Sequence, residues 1–114
     1  MKQIDDLAMS QNQTDGLNAL KAKLFQQFPV EKVILYGSYA RGEADLESDI
    51  DLLILTKKIL SRTERHQITD TVFDINLQYD TNFSSLVVDR LTWEQGLISI
   101  MPFHDEVLHE GIRV

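Results

Sequence analysis

The chain has 114 residues, 43% of them hydrophobic and 25% charged, with a formal charge of −7. That length holds one compact domain, and no apolar run approaches the roughly 20 residues of a membrane span. Without cysteine there are no disulfides, thiolate metal sites or cysteine nucleophiles, and the acidic balance disfavours broad electrostatic binding to DNA or RNA, which needs basic patches.

Residues 1–14 read as a polar tail and residues 15–114 as a single domain. The start carries Asp5 and Asp6 and lacks the basic-then-apolar order of a signal peptide, so a cytoplasmic protein is the expectation. From Asp15, Leu17, Leu20, Leu24 and Phe28 recur at helical spacing until Pro29 stops the helix. Lys32 to Tyr36 forms a short buried strand ending at Gly37. Ser38 to Arg41 suits one helical turn with Ser38 as N-cap. Gly42 to Ser48 is a polar loop, and Asp49 to Leu55 the next strand. Ser61 with Glu64 makes a capping box for a helix that runs to about Asn76, with Ile68, Val72 and Ile75 on its apolar face. Tyr79 to Val88 has the Thr, Val and aromatic content of a third strand. Thr92 with Gln95 resembles another helix start, Pro102 interrupts the stretch after it, and a last short helix through Val107 and Leu108 ends at Gly111. This order implies an α+β fold, an α/β sandwich in which helices pack on a small mixed sheet.

Chemistry concentrates between Gly37 and Asp51. A Gly-Ser pair that follows a buried strand and opens a helical turn leaves backbone N–H groups without helical acceptors, which suits an anion. Gly37 permits close approach, the Ser38 hydroxyl adds a donor, and Arg41 one turn later can supply a charge-assisted contact. Asp49 and Asp51, two residues apart at the head of a strand, leave the same face, while Ile50, Leu52 and Ile54 point into the core. Carboxylates held so close repel each other and raise one pKa. A hard divalent cation such as Mg²⁺ relieves that conflict and takes further ligands from phosphates. Glu43, Asp45 and Glu47 in the intervening loop read as a solvated charge run.

Gly-Ser-x-Ala-Arg-Gly followed by Ser-Asp-x-Asp-Leu, spanning Gly37 to Leu52, closely resembles the signature of the DNA polymerase beta-like nucleotidyltransferase superfamily. It is most similar to the minimal nucleotidyltransferases paired with HEPN-domain proteins in toxin–antitoxin modules. The resemblance implies that Gly37 and Ser38 bind the β and γ phosphates of ATP or another triphosphate. Arg41 would assist there or stabilise the loop, and Asp49 and Asp51 would hold a two-metal Mg²⁺ site. It also implies a third carboxylate on a neighbouring strand, for which Asp80 is the best match and Asp74 and Asp89 are competitors. The implied reaction is attack by an acceptor hydroxyl on the α-phosphorus with release of pyrophosphate. Few residues remain after Asp89 for an acceptor-binding domain, so the acceptor surface must come from a second copy or from another protein, such as a HEPN-type toxin.

Two other functions compete, a binding module that neutralises a toxin by complex formation alone and nucleotide transfer to a small molecule such as an aminoglycoside. His66, His104 and His109 lie on expected helices without the spacing of a metal pair. Trp93, Met101 and Phe103 suit core packing more than a partner patch. Tyr36 and Tyr39 suit core packing and pocket lining equally.

Overall fold

The computed structural model describes residues 8–45 and 48–114. Helix α1, Gln11–Gln27, begins four residues ahead of the expected Asp15 because Ser10 and Gln13 form a capping box. The Ser10 hydroxyl accepts from the Gln13 amide at 3.2 Å, and the Gln13 side chain accepts from the Ser10 amide at 2.8 Å. Part of the expected tail is therefore helical, and residues 1–7 of it lie outside the described residues. Strand β1, Val30–Tyr36, follows Pro29. A short helix α2, Ser38–Arg41, precedes strand β2, Ile50–Thr56. Helix α3, Arg62–Tyr79, starts on the expected Ser61–Glu64 capping box.

The third strand was expected from Tyr79, but α3 continues to that residue and β3 covers Phe83–Asp89. The Asn76 side chain makes the difference. It accepts from the Phe83 amide at 2.8 Å and donates to the Phe83 carbonyl at 3.0 Å, tying the end of the helix to the start of the strand. Asp80 closes α3 in the left-handed conformation (φ 53°), which Asp tolerates better than most residues. Helix α4, Arg90–Gln95, is capped by Asp89 rather than Thr92. The Asp89 carboxylate accepts from the Thr92 amide at 2.9 Å and from its hydroxyl at 2.6 Å. A 3-10 turn, Leu97–Ile100, leads to helix α5, Pro102–Glu110, in which Pro102 takes the first helical position and starts the helix. Strand β4, Ile112–Arg113, was not foreseen from sequence, because two residues carry no periodicity.

The sheet order is β3-β2-β1-β4. β1 runs antiparallel to β2 and β4, and β2 runs parallel to β3. The parallel pair needs a crossover, and α3 supplies it. Alternation along the strands splits the core in two. Val33, Leu35, Ile50, Leu52 and Ile54 face Leu17, Leu20, Leu24, Ile68, Val72 and Ile75 of α1 and α3. Leu53, Leu55 and Val88 face Trp93 and Val107 of α4 and α5, with Tyr36 and Phe103 alongside. β2 is therefore covered on both sides, which accounts for its nearly unbroken apolar run. The expected α+β sandwich on a mixed sheet is the observed architecture. No helix among the described residues is long and apolar enough to cross a membrane.

Candidate active site

β1 and β2 are antiparallel with Tyr36 paired to Asp51, so the end of one strand and the head of the other meet at the same edge. Gly37 follows at φ 81°, ψ −152°, a conformation essentially reserved for glycine. A Cβ at this position would collide with Oδ2 of Asp51. Gly37 is thus required twice over, by its backbone angle and by the carboxylate lying against its Cα. The opening amides of a helix have no acceptor within it, and at α2 these belong to Ser38 and Tyr39. Ser38 occupies the first helical position rather than the expected cap, which falls on Gly37.

A cleft of about 300 Å³ brings Gly37, Ser38, Arg41 and Asp51 together with Tyr36. Its other wall is α5, through Phe103, Glu106, Val107 and Glu110. Phe103 packs edge-on against both Tyr36 and Trp93, with ring centroids 5.2 and 6.2 Å apart, which fixes α5 over this corner. Trp93 is buried as expected of a core residue, whereas Met101 is exposed. Tyr36 lines the cleft, whereas Tyr39 is buried in the core with α1 and α3 and lines a different cleft.

Arg41 is held by two carboxylates, Glu43 at 2.9 Å and Glu110 at 3.3 Å. Hydrogen bonds to these partners raise its pKa further, so it remains a fixed positive charge. Burial, then the charge of Asp49, pushes the Asp51 carboxyl above the usual carboxylate range, and Arg41 pulls it back in part. Burial and then Asp51 likewise raise the Tyr36 phenol. Asp49, just ahead of β2, is exposed, and its Oδ1 accepts a hydrogen bond from the Asn82 side chain. The donor set of Asp49 and Asp51, two hard oxygen ligands of which one is electrostatically penalised without a cation, fits a divalent ion.

The third candidate carboxylate is not brought to this pair. Asp80 is exposed at the end of α3 and lines a second cleft with Ser10, Gln13, Tyr39 and Asp45. Asp74 is exposed on α3, and Asp89 is committed to the cap of α4. Among the described residues no three Asp, Glu, His or Cys side chains converge to hold a metal. Within the loop charge run, Glu43 pairs with Arg41 and Asp45 accepts from the Ser48 hydroxyl at 3.1 Å, while Glu47 lies outside the described residues. None of the three histidines lines the cleft. His66 and His109 are exposed, and the ring of His104 stacks on Trp93 at 4.3 Å.

Sequence reasoning missed Asn82, Ser84, Glu106 and Glu110. The two glutamates are four apart on one helix face, a readable spacing, but nothing in the sequence says that this face covers Gly37. Asn82 and Ser84 are placed only by the β2–β3 register, in which Asp51 pairs with Ser84.

A glycine-serine cradle set against paired aspartates, on a mixed sheet between two helical layers, defines a nucleotidyltransferase. Residues 18–97 match the polymerase beta nucleotidyltransferase family, and the chain belongs to it. A candidate protein adenylyltransferase of Methanocaldococcus jannaschii is 35% identical over 85 residues, covering 75% of this chain and 79% of the relative. Protein adenylyltransferase MntA of Thermococcus cleftensis is 42% identical over 45 residues, covering 40% of this chain and 46% of its own length. Among solved structures, a toxin–antitoxin complex with AMP-PNP contains a chain that superposes with a TM-score of 0.57 at 18% identity. The match covers 87% of this chain and 71% of that one, a likeness of fold.

Proposed function

We propose that this chain transfers AMP from ATP to a hydroxyl of a partner protein, in a magnesium-dependent reaction, and serves as the antitoxin of a HEPN-type toxin. One observation carries the reading, the Asp51 carboxylate packed against the Cα of Gly37 beside Ser38 and Arg41. It supports a phosphate cradle and a metal ligand that share one cleft. The relatives named as protein adenylyltransferases support a protein acceptor, and the solved toxin–antitoxin complexes of the same fold are consistent with a toxin partner. The HEPN class comes from the signature between Gly37 and Leu52.

In this reading the amides after Gly37 and the Ser38 hydroxyl receive the terminal phosphates, while the missing Cβ of Gly37 leaves room for the Asp51 carboxylate beside them. Arg41 exchanges part of its contact with Glu110 and Glu43 for phosphate oxygens, trading one charge-assisted hydrogen bond for another. Asp49 and Asp51 would hold the cation, which when bound would neutralise phosphate charge and polarise the reacting phosphoryl group. The acceptor oxygen forms a bond to the α-phosphorus, the bond from that phosphorus to the bridging oxygen breaks, pyrophosphate leaves, and the hydroxyl proton passes to water. Incubating the chain with α-labelled ATP, Mg²⁺ and a candidate HEPN partner should label the partner. Full labelling by a folded Asp49→Ala, Asp51→Ala double variant would overturn the assignment.

Neutralisation by complex formation alone is a second reading, favoured by Leu97 and Ile100, which are 77% and 80% exposed on the same side of the sheet as the cleft. The same double variant separates the two, since a binding-only antitoxin still protects cells from the toxin without those carboxylates.

A further inference from the structure

The strand beside the aspartates carries no charge where it faces them. Asp51 pairs with Ser84 in the parallel β2–β3 ladder, so the two side chains leave the same face. One step outward, the Asn82 side chain donates to Oδ1 of Asp49, and the Asn82 carbonyl accepts from the Ile50 amide at 3.0 Å. Asn82 and Ser84 are both exposed and neutral. The acid that precedes them, Asp80, is turned to another cleft, Glu110 is engaged by Arg41, and Glu106 lines the cleft from α5, on the wall away from the β2–β3 pair.

Ligand arithmetic then decides how many ions fit. Magnesium is ordinarily held by one or two carboxylates with waters and substrate phosphates completing six ligands. Two ions about 3.5–4 Å apart repel each other strongly and need carboxylates that bridge them as well as ligands on either side. Asp49 and Asp51 together neutralise a single divalent ion, and one of their four oxygens already accepts from Asn82.

We propose that this site takes a single divalent cation together with its triphosphate, and that the neutral β3 pair Asn82 and Ser84 sets that limit. Ser84 stands where a ligand for a second ion would have to be, beside Asp51. The proposal rests on the nucleotide-transfer reading above and departs from the two-metal arrangement that the sequence resemblance implies.

The test is equilibrium dialysis of Mn²⁺ against the full chain with a saturating ATP analogue whose α,β bridge is carbon, the retained metal being counted and its electron paramagnetic resonance spectrum recorded. The wild-type chain should retain one Mn²⁺ with the spectrum of an isolated ion. Ser84→Asp should retain two, with the broadening of a coupled pair. Asp80→Ala and Glu47→Gln should leave the wild-type count unchanged. Two ions in the wild-type chain, an ion lost in Asp80→Ala or Glu47→Gln, or a Ser84→Asp variant that melts like wild type yet holds only one ion would each overturn the proposal. Retention of neither metal nor analogue would overturn the nucleotide-transfer reading with it, whereas two retained ions would leave that reading standing.

Discussion

Replacing Gly37 by alanine probes the geometry on which the site depends. A side-chain-bearing residue at φ 81°, ψ −152° costs about 1–3 kcal/mol. The new methyl group would also overlap Oδ2 of Asp51. Forcing an extra methyl into an occupied space costs about 1–3 kcal/mol, and the half-exposed Asp51 side chain can swing outward, which favours the lower end. The two costs together come to about 2–4 kcal/mol, which at roughly 4 °C per kcal/mol for a domain of this size lowers Tm by about 8–16 °C. Thermal unfolding in chelator would be measured for the wild type, Gly37→Ala, Asp51→Ala and the double variant. Removing the Asp51 carboxylate removes the overlap, because the Asp51 Cβ lies 3.5 Å from where the new methyl group would sit, an ordinary contact. The alanine should then cost only its backbone strain, leaving a coupling of at least about 1 kcal/mol between the two sites. A Gly37→Ala protein melting within about 2 °C of wild type, or one equally destabilised in both backgrounds, would refute the placement of Asp51 over Gly37.

Three further outcomes rest on the titrating groups and their partners. Burial and Asp49 hold the Asp51 carboxyl above its unfolded value, so the stability tied to it is fullest below the unfolded pKa and is lost as pH rises through the raised one. In chelator, Asp51→Asn should therefore melt above wild type near pH 7, with the gain fading as the pH falls towards about 4; an equal or lower melting point near neutrality would count against the buried charge. Asp89 is the opposite case, 7% exposed and depressed chiefly by its hydrogen bond to Thr92, so its contribution is present above the unfolded pKa and disappears as pH falls through the folded one. Asp89→Ala should cost about 1 kcal/mol in urea unfolding at neutral pH and flatten the acid limb, and an unchanged midpoint would exclude the cap. Glu110→Gln removes one of the two carboxylates competing for Arg41, and triphosphate affinity by calorimetry should rise about two- to fivefold at low salt; weaker binding would mean that Glu110 positions Arg41 instead.

Much of the fold was legible in the sequence because local signals and burial agree. Leu17, Leu20 and Leu24 announce α1, Ser61 and Glu64 start α3 as read, and the apolar run from Ile50 marks a strand covered on both sides. Gly37, Ser38, Arg41 and Asp51 could be grouped in advance because a single helical turn and a loop join the end of β1 to the head of β2. Asp80 shows where that reasoning stops. Residues 79 and 80 can end a helix or begin a strand, and the Asn76 side chain, bonded to both backbone groups of Phe83, settles the matter for the helix. Register then puts Ser84 rather than an acid beside Asp51. The wall formed by α5 was hidden for a similar reason, since its placement depends on Phe103 meeting Tyr36 and Trp93 across the sheet.

In the proposed reaction, the charges around the cleft make triphosphate binding depend on a cation. Asp51, Glu106 and Glu110 line it, Asp49 is near enough to act on the Asp51 charge, and Arg41 is the only guanidinium or ammonium group among the described lining residues. A triphosphate adds about as much negative charge as those four carboxylates carry, so in metal-free protein its approach is opposed at short range and the helix amides alone cannot offset the repulsion. In the proposed reading one divalent ion held by Asp49 and Asp51 would cancel their two charges and remove most of that repulsion beside the strand. In that reading Arg41, released in part from Glu110, would supply the remaining positive charge to the phosphates. Cation and triphosphate would then bind with mutual dependence, and by linkage each would raise the affinity for the other by the same factor.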